Sequence, residues 1–133
     1  DKMLVKNIMT AKVYTVEATS SFTTMQAIFE REAFHHLLVE DQGLLLGVIS
    51  DRDILKNISE QVRNDNLEFP QTLTAEDIMT TPVISVDQET PINTASILLL
   101  ENNISCLPVV DADYNIDGIL TWKDILRYHI YNT

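Results

Sequence analysis

The chain has 133 residues, enough for one ordinary domain or two very small units sharing a core. Nine basic residues against 20 acidic ones give a formal net charge of −11 with no concentrated basic patch, which excludes a nucleic-acid backbone as main partner. No apolar run approaches the roughly 18 residues of a membrane helix, so membrane insertion is not expected.

In chain order, Ile8-Met9-Thr10 leads into a short extended piece at residues 13–16, rich in β-branched side chains. A helix follows, capped by Ser20 or Ser21, with Phe22, Met25, Ile28 and Phe29 on one face and an end near Ala33. Two strands come next, at 37–39 and 45–50, joined by a turn at 40–43. A further helix starts at about Asp51. Its polar continuation (Asn57, Glu60, Arg63, Asn64, Asp65) opens a connector that Phe69-Pro70 breaks.

The same order then returns. Ile78-Met79-Thr80 precedes an extended piece at 83–86, and Thr90 and Pro91 read as N-cap and first helical residue. Ile92, Ala95, Leu98 and Leu99 form one helical face that ends near Asn103. Strands at 107–110 and 118–121 flank a turn at 111–117, and a last helix starts at about Trp122. At an offset of seventy, Ile8, Met9, Thr10, Val13, Val16, Thr24, Leu37, Val39 and Asp41 recur as Ile78, Met79, Thr80, Val83, Val86, Thr94, Leu107, Val109 and Asp111. At seventy-one, Gly47, Asp53, Ile54 and Leu55 recur as Gly118, Asp124, Ile125 and Leu126. The chain is a duplication. Its fold class is α/β (α+β), two β-α-β-β-α repeats at 5–56 and 75–128 joined by a connector at 57–74. Neither repeat can bury both faces of its small sheet alone, so the two are expected to pack on each other.

One repeated cluster can carry chemistry. Gly47-Val48-Ile49-Ser50-Asp51-Arg52-Asp53 recurs as Gly118-Ile119-Leu120-Thr121-Trp122-Lys123-Asp124. A strand runs into a helix through a hydroxyl residue, with a carboxylate three positions later. The hydroxyl of Ser50 or Thr121 and the first-turn amides suit a phosphate. Asp53 or Asp124 suits a ribose diol, and Arg52 or Lys123 adds a cation. The same spacing is also a capping box with Asp in place of Glu, a purely structural role.

The doubled β-α-β-β-α pattern, the Ile-Met-Thr before each first strand and the Gly-x-x-[Ser/Thr]-x-x-Asp at each last turn together resemble a tandem CBS-domain pair. The resemblance runs from Val5 to about Arg127. It implies a pseudo-twofold module with two clefts that bind adenosine nucleotides (AMP, ADP or ATP) or S-adenosylmethionine and regulate an attached domain or partner protein. It implies that Ser50 and Thr121 meet phosphate and that Asp53 and Asp124 hold ribose hydroxyls. The base would lie against Lys12, Val13 and Tyr14 and against Pro82, Val83 and Ile84. Its other side would face His35 and His36, and Ser105, Cys106, Leu107 and Pro108, whose backbone groups read the base edge. The second copy keeps the proline usual before the second-strand valine (Pro108-Val109) and has Pro82 where the first has Lys12, which favours it for adenine. Arg52, His35 and His36 suit the first copy to a polyphosphate.

The remaining features are bland. His35 and His36 are adjacent in an extended segment and point to opposite faces, so they do not share a metal ion. Cys106, the only cysteine, reads as a small buried residue, with no partner for a disulfide and no base to activate it. A lone cysteine and a charged start (Asp1, Lys2, Lys6) without a following apolar stretch lead to the expectation of a cytoplasmic chain; no catalytic residue and no required cofactor are expected. The resemblance also implies a homodimer, with Phe22, Met25, Phe29, Ile92, Leu98 and Leu99 as candidates for core and interface. The alternative function is a structural dimerisation module whose clefts stay empty.

Overall fold

The structure is a computed structural model that describes residues 3–131. The elements, in order, are α1 (Val5–Ile8), β1 (Thr15–Glu17), α2 (Phe22–Arg31), β2 (His36–Asp41), β3 (Leu44–Ser50), α3 (Asp51–Arg63), α4 (Phe69–Thr72), α5 (Ala75–Ile78), α6 (Ile92–Asn102), β4 (Cys106–Val110), β5 (Ile116–Thr121) and α7 (Trp122–Tyr131). The chain is α+β, and it forms two compact units. One is Tyr14–Val83; the other joins the described residues before position 14 to those after 83. The units therefore cut across the repeats.

In the Tyr14–Val83 unit the sheet order is β1-β2-β3. β1 is parallel to β2, which requires a crossover, and α2 supplies it. Ser21 caps α2, its Oγ accepting from Thr24 N at 3.1 Å. The helix stops at Arg31, two residues before the expected end, and Phe34 packs flat on Tyr14 at 4.1 Å. β2 and β3 are antiparallel, joined through Gln42 and Gly43, both at positive φ. Val16, Phe22, Met25, Leu37, Val39, Ile49, Ile54, Phe69 and Ala75 form the core. Phe69-Pro70 do not break α3, which ends earlier, at Arg63, with Asp65 at positive φ just beyond; they instead open one further helical turn, α4, which carries Phe69 into that core against Phe22.

The other unit repeats this with its own residues. β4 and β5 are antiparallel, with a register irregularity after Val109 at the place where β2 has one after Val39. The core is Val5, Val86, Ala95, Leu99, Leu107, Val109 and Leu120. The expected strand at 83–86 shrinks to a single parallel bridge from Val86 to Val109. Thr90 is not the N-cap. Its Oγ1 accepts from Asp87 N at 3.3 Å and closes the preceding turn, so Pro91 takes the cap position. Pro91 has no side-chain oxygen to offer. The first amide of α6 instead donates to Met3 O at 3.1 Å.

That last bond has a counterpart. Phe22 N, the first amide of α2, donates to Leu73 O at 2.9 Å. Thr10 pairs in both directions with Ile119 at 2.9 Å each, and Thr80 pairs with Val48 at 2.9 and 3.3 Å. Each segment running up to an Ile-Met-Thr thus caps the long helix and extends the hairpin built by the opposite repeat. Glycine stands at the crossings. A Cβ on Gly118 would lie 2.7 Å from Thr10 O, and one on Gly47 2.5 Å from Met79 Sδ. Two features that recur in the sequence, the glycine and the Met-Thr, are the two sides of one close approach.

A carbonyl held in a two-bond pair cannot yield as a thioether can. Gly118→Ala is therefore expected to cost about 2 kcal/mol, the loss of two backbone hydrogen bonds. Gly47→Ala is expected to cost less, because its two shortest contacts, Met79 Sδ and Cγ, belong to a side chain that can rotate, and only Met79 Cβ at 3.0 Å is left to give way. Urea unfolding of both variants checks the order.

Candidate functional site

Each Gly-x-x-[Ser/Thr]-x-x-Asp ends on the first turn of a helix, as the sequence predicts. At α3, Ser50 N donates to Asp53 Oδ2 at 2.8 Å and Asp53 N donates to Ser50 Oγ at 3.2 Å. This is a capping box with aspartate. It leaves much of its capacity open. Among the described residues nothing donates to Asp53 Oδ1, and the Ser50 hydroxyl proton has no acceptor; Asp53 is half-buried. Asp51 N is occupied by His35 O at 3.0 Å, so the phosphate-binding capacity expected of the whole first turn is reduced.

The histidines divide as adjacent strand residues should. His36 lies opposite Ser50 in the β2–β3 register, so the two share a face. His35 points outward and hydrogen-bonds Asp51 through Nδ1 at 2.8 Å, both exposed. Burial lowers the His36 pKa from its ordinary 6.5; Asp51 and Asp53 pull it back up and His35 pushes it further down. Arg52 is exposed on the same turn.

At α7 the same motif is closed. Thr121 N and Thr121 Oγ1 both donate to Asp124 Oδ2, at 2.9 and 3.2 Å. Thr10 Oγ1 and Arg127 Nη1 both donate to Asp124 Oδ1, at 3.2 Å each. A carboxylate offers about four lone-pair directions, and all are taken. Asp124 is 5% exposed, and it is the only buried charged residue among those described. Lys123 and Trp122 are exposed beside it. The sequence motif points to neither Thr10 nor Arg127. Arg127 is three residues from Asp124 on one helix, a spacing that signals contact. Thr10 reaches Asp124 only because the leading segment crosses to the other repeat's hairpin.

Other expected site residues are scattered. Lys12 and Val13 belong to the unit that holds Thr121, and Pro82 and Val83 to the unit that holds Ser50. Pro82 follows Thr80, which pairs with Val48 on the β3 edge. Tyr14 does not present two open ring faces: Phe34 covers one, and its hydroxyl donates to Glu32 Oε1 at 3.3 Å. Ile84 and Ser105 are exposed, whereas Leu107 and Pro108 are fully buried in β4 with backbones paired to β5, which leaves their side chains no role in contact. Cys106 takes the place of His36, opposite Thr121. Burial pushes its thiol up to about 12, which makes it unreactive near neutrality. Among the described residues no cluster of His, Cys, Asp or Glu is placed to hold a metal, and no helix is long and apolar enough to cross a membrane.

Comparison with known proteins agrees with the fold. Residues 5–60 and 75–131 match the CBS domain family, and the chain belongs to it. The CBS domain pair of protein MJ0100, solved in complex with 5′-methylthioadenosine and S-adenosyl-L-methionine, aligns over 100% of both chains at 29% identity with a TM-score of 0.86. CBSX2 in complex with AMP aligns over 96% of both chains at 29% identity with a TM-score of 0.83. Homoserine O-acetyltransferase of Methanohalobium evestigatum is 33% identical over 124 residues, which are 92% of this chain and 23% of that protein. The chain spans 23% to 46% of the length of the first three curated relatives it matches.

A histidine whose folded pKa lies below its unfolded value stabilises the fold only while neutral. Stability attributable to His36 is therefore fully present above about pH 6.5 and falls as pH drops below it. Unfolding free energies measured from pH 7.5 to 5 are expected to decline, and His36→Gln is expected to flatten that decline.

Proposed function

We propose that this chain is a ligand-sensing regulatory module, not a catalyst, and that it binds an adenosine-containing small molecule such as AMP or S-adenosylmethionine. The observation that carries the reading is Asp53. A half-buried carboxylate at a helix N-terminus, with one oxygen open beside a serine hydroxyl that still has a proton to donate, suits a diol and a phosphate side by side. Arg52, exposed on the first turn, adds positive charge, and His36 lies on the shared face. The two CBS relatives solved with adenosine compounds support the choice of ligand class. Binding would favour one arrangement of the chain over another and pass that bias to an attached domain or a partner. The reduced, buried Cys106 fits a cytoplasmic setting.

We further propose a homodimer. Phe22, Met25, Ile92 and Leu99 are not its contacts, since all are buried in their own cores. The apolar side chains left outside are different ones. Ile97 and Leu100 on α6 are 58% and 80% exposed, and Leu126 and Ile130 lie exposed on the neighbouring α7. A twofold contact would present this patch from both chains.

A ligand that binds only the folded state raises its melting temperature. AMP and S-adenosylmethionine at millimolar concentration are expected to do so, and Asp53→Ala is expected to weaken the better ligand by about 10- to 100-fold. No shift with any adenosine compound would leave the structural dimerisation module as the better reading. Light scattering is expected to give twice the 15.1 kDa chain mass, and Leu100→Glu to return it to one chain.

A further inference from the structure

We infer that Thr10 and Arg127 close the second motif: they saturate Asp124, so the Thr121–Asp124 turn is a structural clamp that takes no ligand while they are present. The inference rests on the adenosine reading for what is excluded, and on hydrogen bonding alone for the clamp.

The two motifs have the same residue spacing and opposite availability. A ribose diol must donate to a carboxylate, so it needs a free lone pair. Asp53 Oδ1 has one; Asp124 has none, because each of its oxygens already accepts two hydrogen bonds. A phosphate oxygen needs a donor. The Ser50 hydroxyl is available, whereas the Thr121 hydroxyl already donates to Asp124. The counterparts of the two closing residues behave differently in the other repeat. Thr80 pairs its backbone with Val48 much as Thr10 pairs with Ile119, yet neither its hydroxyl nor Lys56, which stands where Arg127 stands, bonds Asp53 among the described residues. Displacing Arg127 from an acid that is 5% exposed would strand a buried charge with fewer partners. The clamp also ties the leading segment to α7 through a side chain, in addition to the backbone pair with Ile119.

The test uses Thr10→Val, Arg127→Met and the double variant, with AMP as probe. Trp122, the chain's one tryptophan, stands next to Thr121 and reports locally on the second motif. For the unaltered chain the expectation is one AMP per chain by calorimetry, no change in Trp122 emission, and loss of binding on Asp53→Asn. The double variant is expected to gain a second equivalent together with a Trp122 response. Two equivalents on the unaltered chain, a Trp122 response there, or no gain in the double variant would overturn the closure. Melting temperature tests the clamp without any ligand. Each single variant is expected to lower it by a few degrees, while Lys56→Met leaves it unchanged. Equal melting temperatures throughout would overturn the clamp. If AMP binds no form of the chain, the adenosine reading fails, and the clamp stands or falls on the melting temperatures.

Discussion

The fold depends on one exchange: the segment in front of each repeat finishes the sheet and caps the helix of the other. Met3 and Leu73 offer the carbonyls that receive the first amides of α6 and α2, and Thr10 and Thr80 pair the outer edges of β5 and β3. Without them each hairpin would expose an unpaired edge, and each long helix would start on an orphan amide. A single copy of this repeat therefore lacks the parts for its own completion. Gly47 and Gly118 are the positions that let the exchange happen, because any side chain there meets the incoming segment.

The difference between the two motifs follows from the same exchange. Pairing with Ile119 holds Thr10 where its hydroxyl reaches Asp124, and Arg127 meets the same carboxylate oxygen from one helical turn away. In the other unit, the equivalent pairing of Thr80 brings no such bond to Asp53. Identical motif spacing thus gives one acid that is satisfied by its own chain and one that is not. In the first it is a capping device; in the second it retains capacity for an outside donor.

Much of this was legible in the sequence. The duplication follows from identities about seventy positions apart, and the strand-to-helix turns at Ser50 and Thr121, the apolar faces of α2 and α6 and the long extension of α3 follow from local pattern, because each of these depends on neighbours three or four residues away. What pattern could not convey was non-local. Thr90 looks like a cap, yet its hydroxyl serves Asp87, since a carbonyl from the start of the chain already satisfies the helix. Pro82 precedes the first strand expected of the second repeat, yet its neighbour Thr80 pairs with β3 of the first. The expected strand at 83–86 keeps its β-branched residues and yet forms only a bridge, for want of a longer run of pairing with β4. The saturation of Asp124 is invisible for the same reason, as one of its four hydrogen bonds comes from 114 residues away.

We propose that of the two repeated acids Asp53 is open to an adenosine ligand and Asp124 is closed. Amide chemical shifts followed during a titration with AMP test it most directly. The account predicts saturable shifts at Ser50, Arg52 and Asp53, with Thr121, Lys123 and Asp124 unmoved. Equal shifts at both turns, or shifts confined to α7, would contradict it.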